Sequence, residues 1–252
     1  MTGKTIADLP IYKVQDTELK FNLLVYGESG VGKTRLCGSI SEVPELCPSL
    51  LLDIEGGGLT LRSVYPNMEC VRIDTWTKLQ TVYQRLKSNN EHGYRSIILD
   101  SVTEMQKLGM DHTMLMRKGG DDLSVPELKE WNINIEQVRK YVRLFRDLEG
   151  VTTLFTALVR VDTDKRTGLS RKKPSLSGKV ADEICGFLDI VTYLGMEEVN
   201  GVNTRILQTG NTPGTVAKDR SNFLPMLLAN PTMADVYNHI NGKANKSDDV
   251  QA

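Results

Sequence analysis

A chain of 252 residues with 40% apolar and 25% charged residues can bury a substantial core, which excludes global disorder. A formal net charge of −1 gives no overall nucleic-acid signature, so any basic surface must be local. No apolar run approaches the ~18 residues of a membrane span, and "MTGKTIADLP" lacks the apolar segment of a secretory signal, so no membrane partner is expected.

The first strong pattern is an apolar strand at 21–26, "FNLLVY", followed directly by "GESGVGKT". Gly27, four residues, then Gly32-Lys33-Thr34 is the spacing of a phosphate-binding loop. Its glycines let successive backbone N–H groups point into one concavity, and the helix expected from "RLCGSI" adds an N-terminal dipole. Lys33 can then meet the β/γ-phosphates, and the Thr34 hydroxyl can ligate Mg²⁺. The nucleotide-binding candidates are Gly27, Glu28, Ser29, Gly30, Val31, Gly32, Lys33, Thr34 and Arg35, and the implied cofactors are ATP and Mg²⁺.

A second strand at 49–54, "SLLLDI", runs into "EGGG". Strand alternation puts Asp53 and Glu55 on one side. Glu55, holding water for attack on a γ-phosphate, and Lys33, stabilising the phosphates, are the candidate catalytic residues, with Asp53 as the supporter of Glu55 or a helix cap. A strand at 69–73 precedes a helical pattern of Trp76, Leu79, Val82, Tyr83 and Leu86. The strand at 95–100, "RSIILD", ends in Asp100, placed to hold Mg²⁺ through water. "SVPE" predicts a helix from Ser124 with a capping box, and its apolar stripe of Trp131, Ile135, Val138, Val142 and Phe145 reads as a core face.

After a strand at 151–158 comes "KRTGLSRKKPSLSGK", which holds Lys165, Arg166, Arg171, Lys172, Lys173 and Lys179 without an acid. Its glycines, serines and proline predict a mobile loop, and its charge suits the phosphate backbone of a nucleic acid. It has no aromatic ring for stacking on bases. Residues 187–210 read as two strands around an Asn200-Gly201 turn. "TVAKDRSNF" then presents Lys218 and Arg220, a short helix is expected over 231–241, and 243–252 reads as a disordered tail.

Near-continuous apolar strands joined by helices imply an α/β fold: a mostly parallel central sheet flanked by helices, with a C-terminal β-hairpin extension, in one domain over 1–242. Cys37, Cys47, Cys70 and Cys185 lack C-x-x-C spacing, which argues against structural zinc and fits reduced cytosolic thiols. His92, His112 and His239 lie too far apart to suggest a ligand cluster.

"GESGVGKT", "LLDIEGG" and "IILDSVTEM", in this order, resemble the core of RecA-like P-loop ATPases, most closely the small bacteriophage proteins of the single-strand annealing type. "TW", "PSLSGK", "FLDIVTYL" and "KDR" add to the likeness, which spans about residues 20–225. The resemblance implies that Glu55 is the catalytic base, that the basic segment lies where RecA carries a DNA-binding loop, and that Lys218 or Arg220 acts in trans on a neighbour's γ-phosphate. It also implies a homo-oligomer, ring or filament, binding single-stranded DNA in recombination, in the cytoplasm (the host's if phage-encoded). A helicase-like or loader motor and an ATP-switched DNA-binding module stay open. In one place the chain departs from the pattern: where RecA relatives carry a Gln or His sensor, it has Thr156, Ala157 and Leu158, followed by Arg160.

Overall fold

A computed structural model describes residues 20–88, 92–118 and 125–242, and the backbone of two short paired strands, β1 (Thr5–Ile6) and β2 (Leu9–Pro10). The expected tail at 243–252 lies outside the described residues.

The first half of the main sheet alternates strands and helices. β3 (Asn22–Gly27) leads to α1 (Lys33–Gly38), β4 (Ser49–Asp53) to α2 (Gly58–Leu61), and β5 (Glu69–Arg72) to α3 (Trp76–Ser88). Then come β6 (Ser96–Asp100), α4 (Val102–Lys118), α5 (Leu128–Arg146) and β7 (Thr152–Thr163). β8 (Ser170–Pro174), α6 (Val180–Phe187), β9 (Ile190–Val199) and β10 (Val202–Gln208) follow. β11 (Lys218–Asp219), β12 (Leu227–Ala229) and α7 (Met233–Ile240) complete the order.

Across the sheet the order is β12-β10-β9-β3-β7-β6-β4-β5, with β8 beside β7 and β11 beside β9. β9, β3, β7, β6, β4 and β5 are mutually parallel; β10 and β12 run antiparallel at one edge. The architecture is therefore the expected α/β sheet with a C-terminal antiparallel extension.

Both faces are covered, which is why the central strands are continuously apolar. Leu24 and Tyr26 of β3 face a core with α3, α4, α5 and α6, while Leu23 and Val25 face α1, α2 and α7. Trp76, Tyr83, Tyr141 and Phe145 form edge-on aromatic contacts in the first core. Truncating Trp76 or Phe145 to alanine would cost roughly 3–5 kcal/mol.

Two helix expectations need correction. α5 starts at Leu128, capped by Glu127 with Glu130 closing the box, because these carboxylates reach the free N–H groups of the first turn. Trp131 is 36% exposed and so is not core; one turn along, buried Asn134 faces inward instead and donates to the Gln106 carbonyl. Among the described residues no helix is long and apolar enough to cross a membrane.

The register gathers the strand ends. Gly27 lies level with Leu158 and Leu194, and Asp53 with Asp100. Beyond that edge β7 continues to Thr163 and β9 to Val199, so two hairpins project past the phosphate loop, one on each side. The β9–β10 turn has Asn200 and Gly201 at φ 53° and 78°, the left-handed pair of a tight hairpin.

Candidate nucleotide site

The loop after β3 is shaped by close approach. A Cβ on Gly27 would sit 2.3 Å from the Leu194 carbonyl oxygen, so no other residue fits there. Gly32, at φ 105°, caps α1, a conformation L side chains rarely adopt. Lys33 is 6% exposed, and its ammonium donates to the carbonyls of Gly27 (3.2 Å) and Glu28 (2.8 Å). Burial draws its pKa below the usual lysine range, opposed by the charges of Glu55 and Asp100. The loop's own carbonyls thus hold the ammonium where it can exchange them for phosphate oxygens.

Asp100 is the hub. One carboxylate oxygen accepts from the Thr34 hydroxyl at 2.7 Å, and the other accepts from the Thr156 hydroxyl. Its backbone carbonyl receives the N–H groups of Ile54 (2.7 Å) and Glu55 (3.0 Å). Asp100 is 1% exposed, and burial raises its pKa against the two hydroxyl bonds. α1 and β7 are therefore tied to the Asp100 carboxylate, and the chain leaving β4 to its backbone carbonyl.

The paired acids do not share a side as strand alternation predicts. β4 ends at Asp53, and the shared bond to the Asp100 carbonyl bends the chain at Ile54 and Glu55. Asp53 turns into the glycine loop and accepts from the N–H groups of Gly56 (2.6 Å), Gly57 (2.9 Å) and Gly58 (3.3 Å), with Arg72 at 3.3 Å. It therefore shapes the loop and caps α2. Glu55 is exposed, and among the described residues its carboxylate makes no hydrogen bond or ion pair. The glycine run has a reason: a Cβ on Gly57 would lie 2.4 Å from Asp100 Oδ2 and 3.2 Å from Thr34 Oγ1. The loop bearing Glu55 thus passes directly over the Thr34–Asp100 pair.

The position opposite Gly27 carries no polar sensor. Leu158 occupies it, and Thr156 is fully buried two residues deeper, committed to Asp100. Arg160 is turned away, donating to the Leu176 carbonyl and pairing with Asp162 at 3.3 Å.

The basic segment is a β-hairpin rather than a mobile loop, because β8 pairs antiparallel with the extension of β7 from Val159–Pro174 to Thr163–Ser170. Its cations divide. Lys165 and Arg166 sit exposed at the tip and form no ion pair among the described residues. Arg171 donates to the Asn211 side chain at 2.7 Å, and Lys172 lies 4.4 Å over the Tyr193 ring. Lys173 pairs with Asp162 at 2.5 Å and lies 3.8 Å from Asp182, while Lys179 is exposed at the start of α6.

Lys218 and Arg220 lie away from the chain's own phosphate loop. β11 pairs with Val191 and Ile190, at the far end of β9 from Leu194, roughly 10–13 Å along the strand. The Lys218 ammonium caps the C-terminal end of α6 through the carbonyls of Cys185 (2.8 Å) and Gly186 (2.9 Å), and burial lowers its pKa. Arg220 pairs with Asp189 at 3.3 Å. This geometry rules out contact with the chain's own phosphates.

Sequence reasoning missed Arg205 of β10, whose Nε–H donates to the Val31 carbonyl at 3.0 Å. A lone arginine in "NTRIL" carries no motif; only the fold brings it to the loop. It borders a cavity of about 420 Å³ beside the loop, shared with Gly32, Arg35, Asn230 and Thr232. A larger hollow of about 670 Å³, around Tyr83, His92, Tyr94 and Glu149, lies at the opposite edge of the sheet and has no phosphate-binding loop. Among the described residues no cluster of three or more His, Cys, Asp or Glu could hold a metal, and the four cysteines are free thiols.

No curated protein matches the chain. Among solved structures it is similar to the KaiC-like protein PH0186 of Pyrococcus horikoshii OT3, at 17% identity and TM-score 0.40 over 75% of this chain and 77% of that one. It is also similar to an ATPase of the type III secretion system of pathogenic bacteria, at 17% identity and TM-score 0.49 over 70% of this chain and 52% of that one. Residues 19–221 match the AAA domain family, a span that includes the phosphate loop, Asp100 and both hairpins. The chain belongs to this family of P-loop ATPases.

Proposed function

We propose that the protein is a RecA-like, Mg²⁺-dependent ATPase that acts on single-stranded DNA, in recombination or annealing, as a homo-oligomer. The observation that carries the catalytic reading is the 2.7 Å contact between Thr34 and Asp100 beside Lys33, under the loop bearing Glu55. A hydroxyl and a carboxylate are hard oxygen donors, the set that suits Mg²⁺ with water and phosphates completing its shell. Thr34 and Asp100 would hold it, and when bound it neutralises charge on the phosphates.

In this reading the Lys33 ammonium moves from the Gly27 and Glu28 carbonyls to the β/γ-phosphates. Glu55, at the surface and without a side-chain partner among the described residues, accepts the proton of a water whose oxygen bonds to the γ-phosphorus as the bond to the leaving oxygen breaks. Exposed Lys165 and Arg166 supply charge for a phosphate backbone. Lys218 and Arg220, unable to reach their own site, are the groups available to a neighbouring subunit.

The test is phosphate release in Mg²⁺, with and without single-stranded DNA. Release that rises with DNA is the expected result. No release under either condition would sink the enzymatic reading, and release indifferent to DNA would remove the nucleic acid as its effector.

A further inference from the structure

Arg205 is a cation placed against the phosphate loop from outside. Its Nε–H donates to the Val31 carbonyl at 3.0 Å, and among the described residues it forms no ion pair. Its place is fixed by the backbone: the Arg205 N–H donates to the Asn230 side chain at 3.3 Å, and the Asn230 N–H returns to the Arg205 carbonyl at 2.7 Å. A Cβ on Gly32 would lie 2.9 Å from Arg205 Nε, so the arginine occupies the space that a side chain at residue 32 would need.

The consequence follows from the planar trans peptide, in which C=O and N–H point in opposite directions. A donor that fixes the Val31 carbonyl turns the Gly32 N–H away from Arg205. That N–H has no acceptor among the described residues, and it precedes the N–H groups of Lys33 and Thr34 at the start of α1. The next backbone bond, from the Leu36 N–H, goes to the Gly32 carbonyl at 2.9 Å and so holds the other side of the same residue. Loss of the Arg205 bond would free the Val31–Gly32 peptide to rotate, and a carbonyl could then enter the concavity that an anion must fill.

We propose that Arg205 is a positioning residue for phosphate binding: it holds the Val31–Gly32 peptide so that the Gly32 N–H faces the phosphates. This rests on the nucleotide reading of the loop. It predicts an effect on the polyphosphate itself, regardless of base or ribose.

The test is calorimetric titration of the full chain with Mg-ATP and with Mg-tripolyphosphate, which has no base or sugar. Arg205→Met keeps the apolar stem and removes the donor and charge; it should weaken both ligands to a similar extent, by roughly tenfold or more. Arg205→Lys, which restores a charged donor, should recover most of that loss. A variant that loses ATP but binds tripolyphosphate normally would make Arg205 a base or ribose contact and overturn the proposal. Unchanged binding of both ligands by Arg205→Met, or a lysine variant as weak as methionine, would overturn it as well. Should Arg205→Met fail to fold, the lysine variant decides: near-normal affinity for both ligands supports the proposal, and a methionine-like loss in a folded lysine variant overturns it. Failure of the wild-type chain to bind either ligand would instead overturn the nucleotide reading on which the proposal stands.

Discussion

The same edge of the sheet carries two polar regions built on opposite terms. At the nucleotide site Lys33, Asp100 and Thr156 are buried and Thr34 is half-buried; Asp100 accepts from both threonines, and Lys33 donates to the Gly27 and Glu28 carbonyls. On the β7–β8 hairpin Lys165 and Arg166 stand in water, while the other cations of the basic stretch there already have partners: Arg171 with Asn211, Lys172 with Tyr193 and Lys173 with Asp162. Burial makes geometry expensive to change, so the first region acts through position. Exposure leaves charge screened and movable, so the second acts through its field. Sequence charge counts overstate the second region, because they cannot see which cations are spent inside the chain.

The contrast breaks most visibly at Glu55, the exposed group of the proposed catalytic set. Glu55→Gln should keep ATP binding and lower turnover by about 10²–10⁴. Near-normal phosphate release from that variant would remove Glu55 as the base. Glu104 would not replace it easily, since its carboxylate pairs with Lys107 at 2.6 Å. Lys33→Ala should weaken ATP binding by roughly a hundredfold or more, because a charged contact to phosphate is lost from a desolvated site.

Stability sharpens the same comparison. Thr156→Val leaves one oxygen of buried Asp100 without a donor and should cost roughly 1–3 kcal/mol in denaturant unfolding without nucleotide. Lys218→Ala uncovers two carbonyls at the end of α6 and should cost about 1–2 kcal/mol. If Lys218 or Arg220 also acts in trans, mixing its alanine variant with Glu55→Gln should restore some hydrolysis, since one interface could hold both intact groups. A protein that stays monomeric with ATP and DNA in sedimentation would remove that role.

The smallest expected effect is on the hairpin. Neutralising Lys165 and Arg166 together should flatten the log–log salt slope of single-stranded DNA binding by about 1.4, or ~0.7 for each lost contact. Neutralising Lys173 should change that slope less, because its ammonium is held between Asp162 and Asp182. Anisotropy across a salt series reads both. Equal slopes in wild type and the Lys165/Arg166 double variant would assign the tip to solvent.

Local patterns in the chain were enough for the phosphate loop, the strands ending in Asp53 and Asp100, and the Asn200-Gly201 hairpin. Each depends on residue chemistry at short range: glycine at positive φ, apolar runs for buried strands, a turn pair for a hairpin. Only tertiary structure decided the rest. Asp53 and Glu55 part because the Asp100 carbonyl draws two successive N–H groups and ends the alternation of β4. The basic stretch becomes a strand because the extension of β7 offers it a free edge to pair with. Arg205 reaches Val31, 174 positions earlier in the chain, because β10 returns beside β9, which lies beside β3. Such contacts are set by strand order and register, and those follow from how the whole sheet packs.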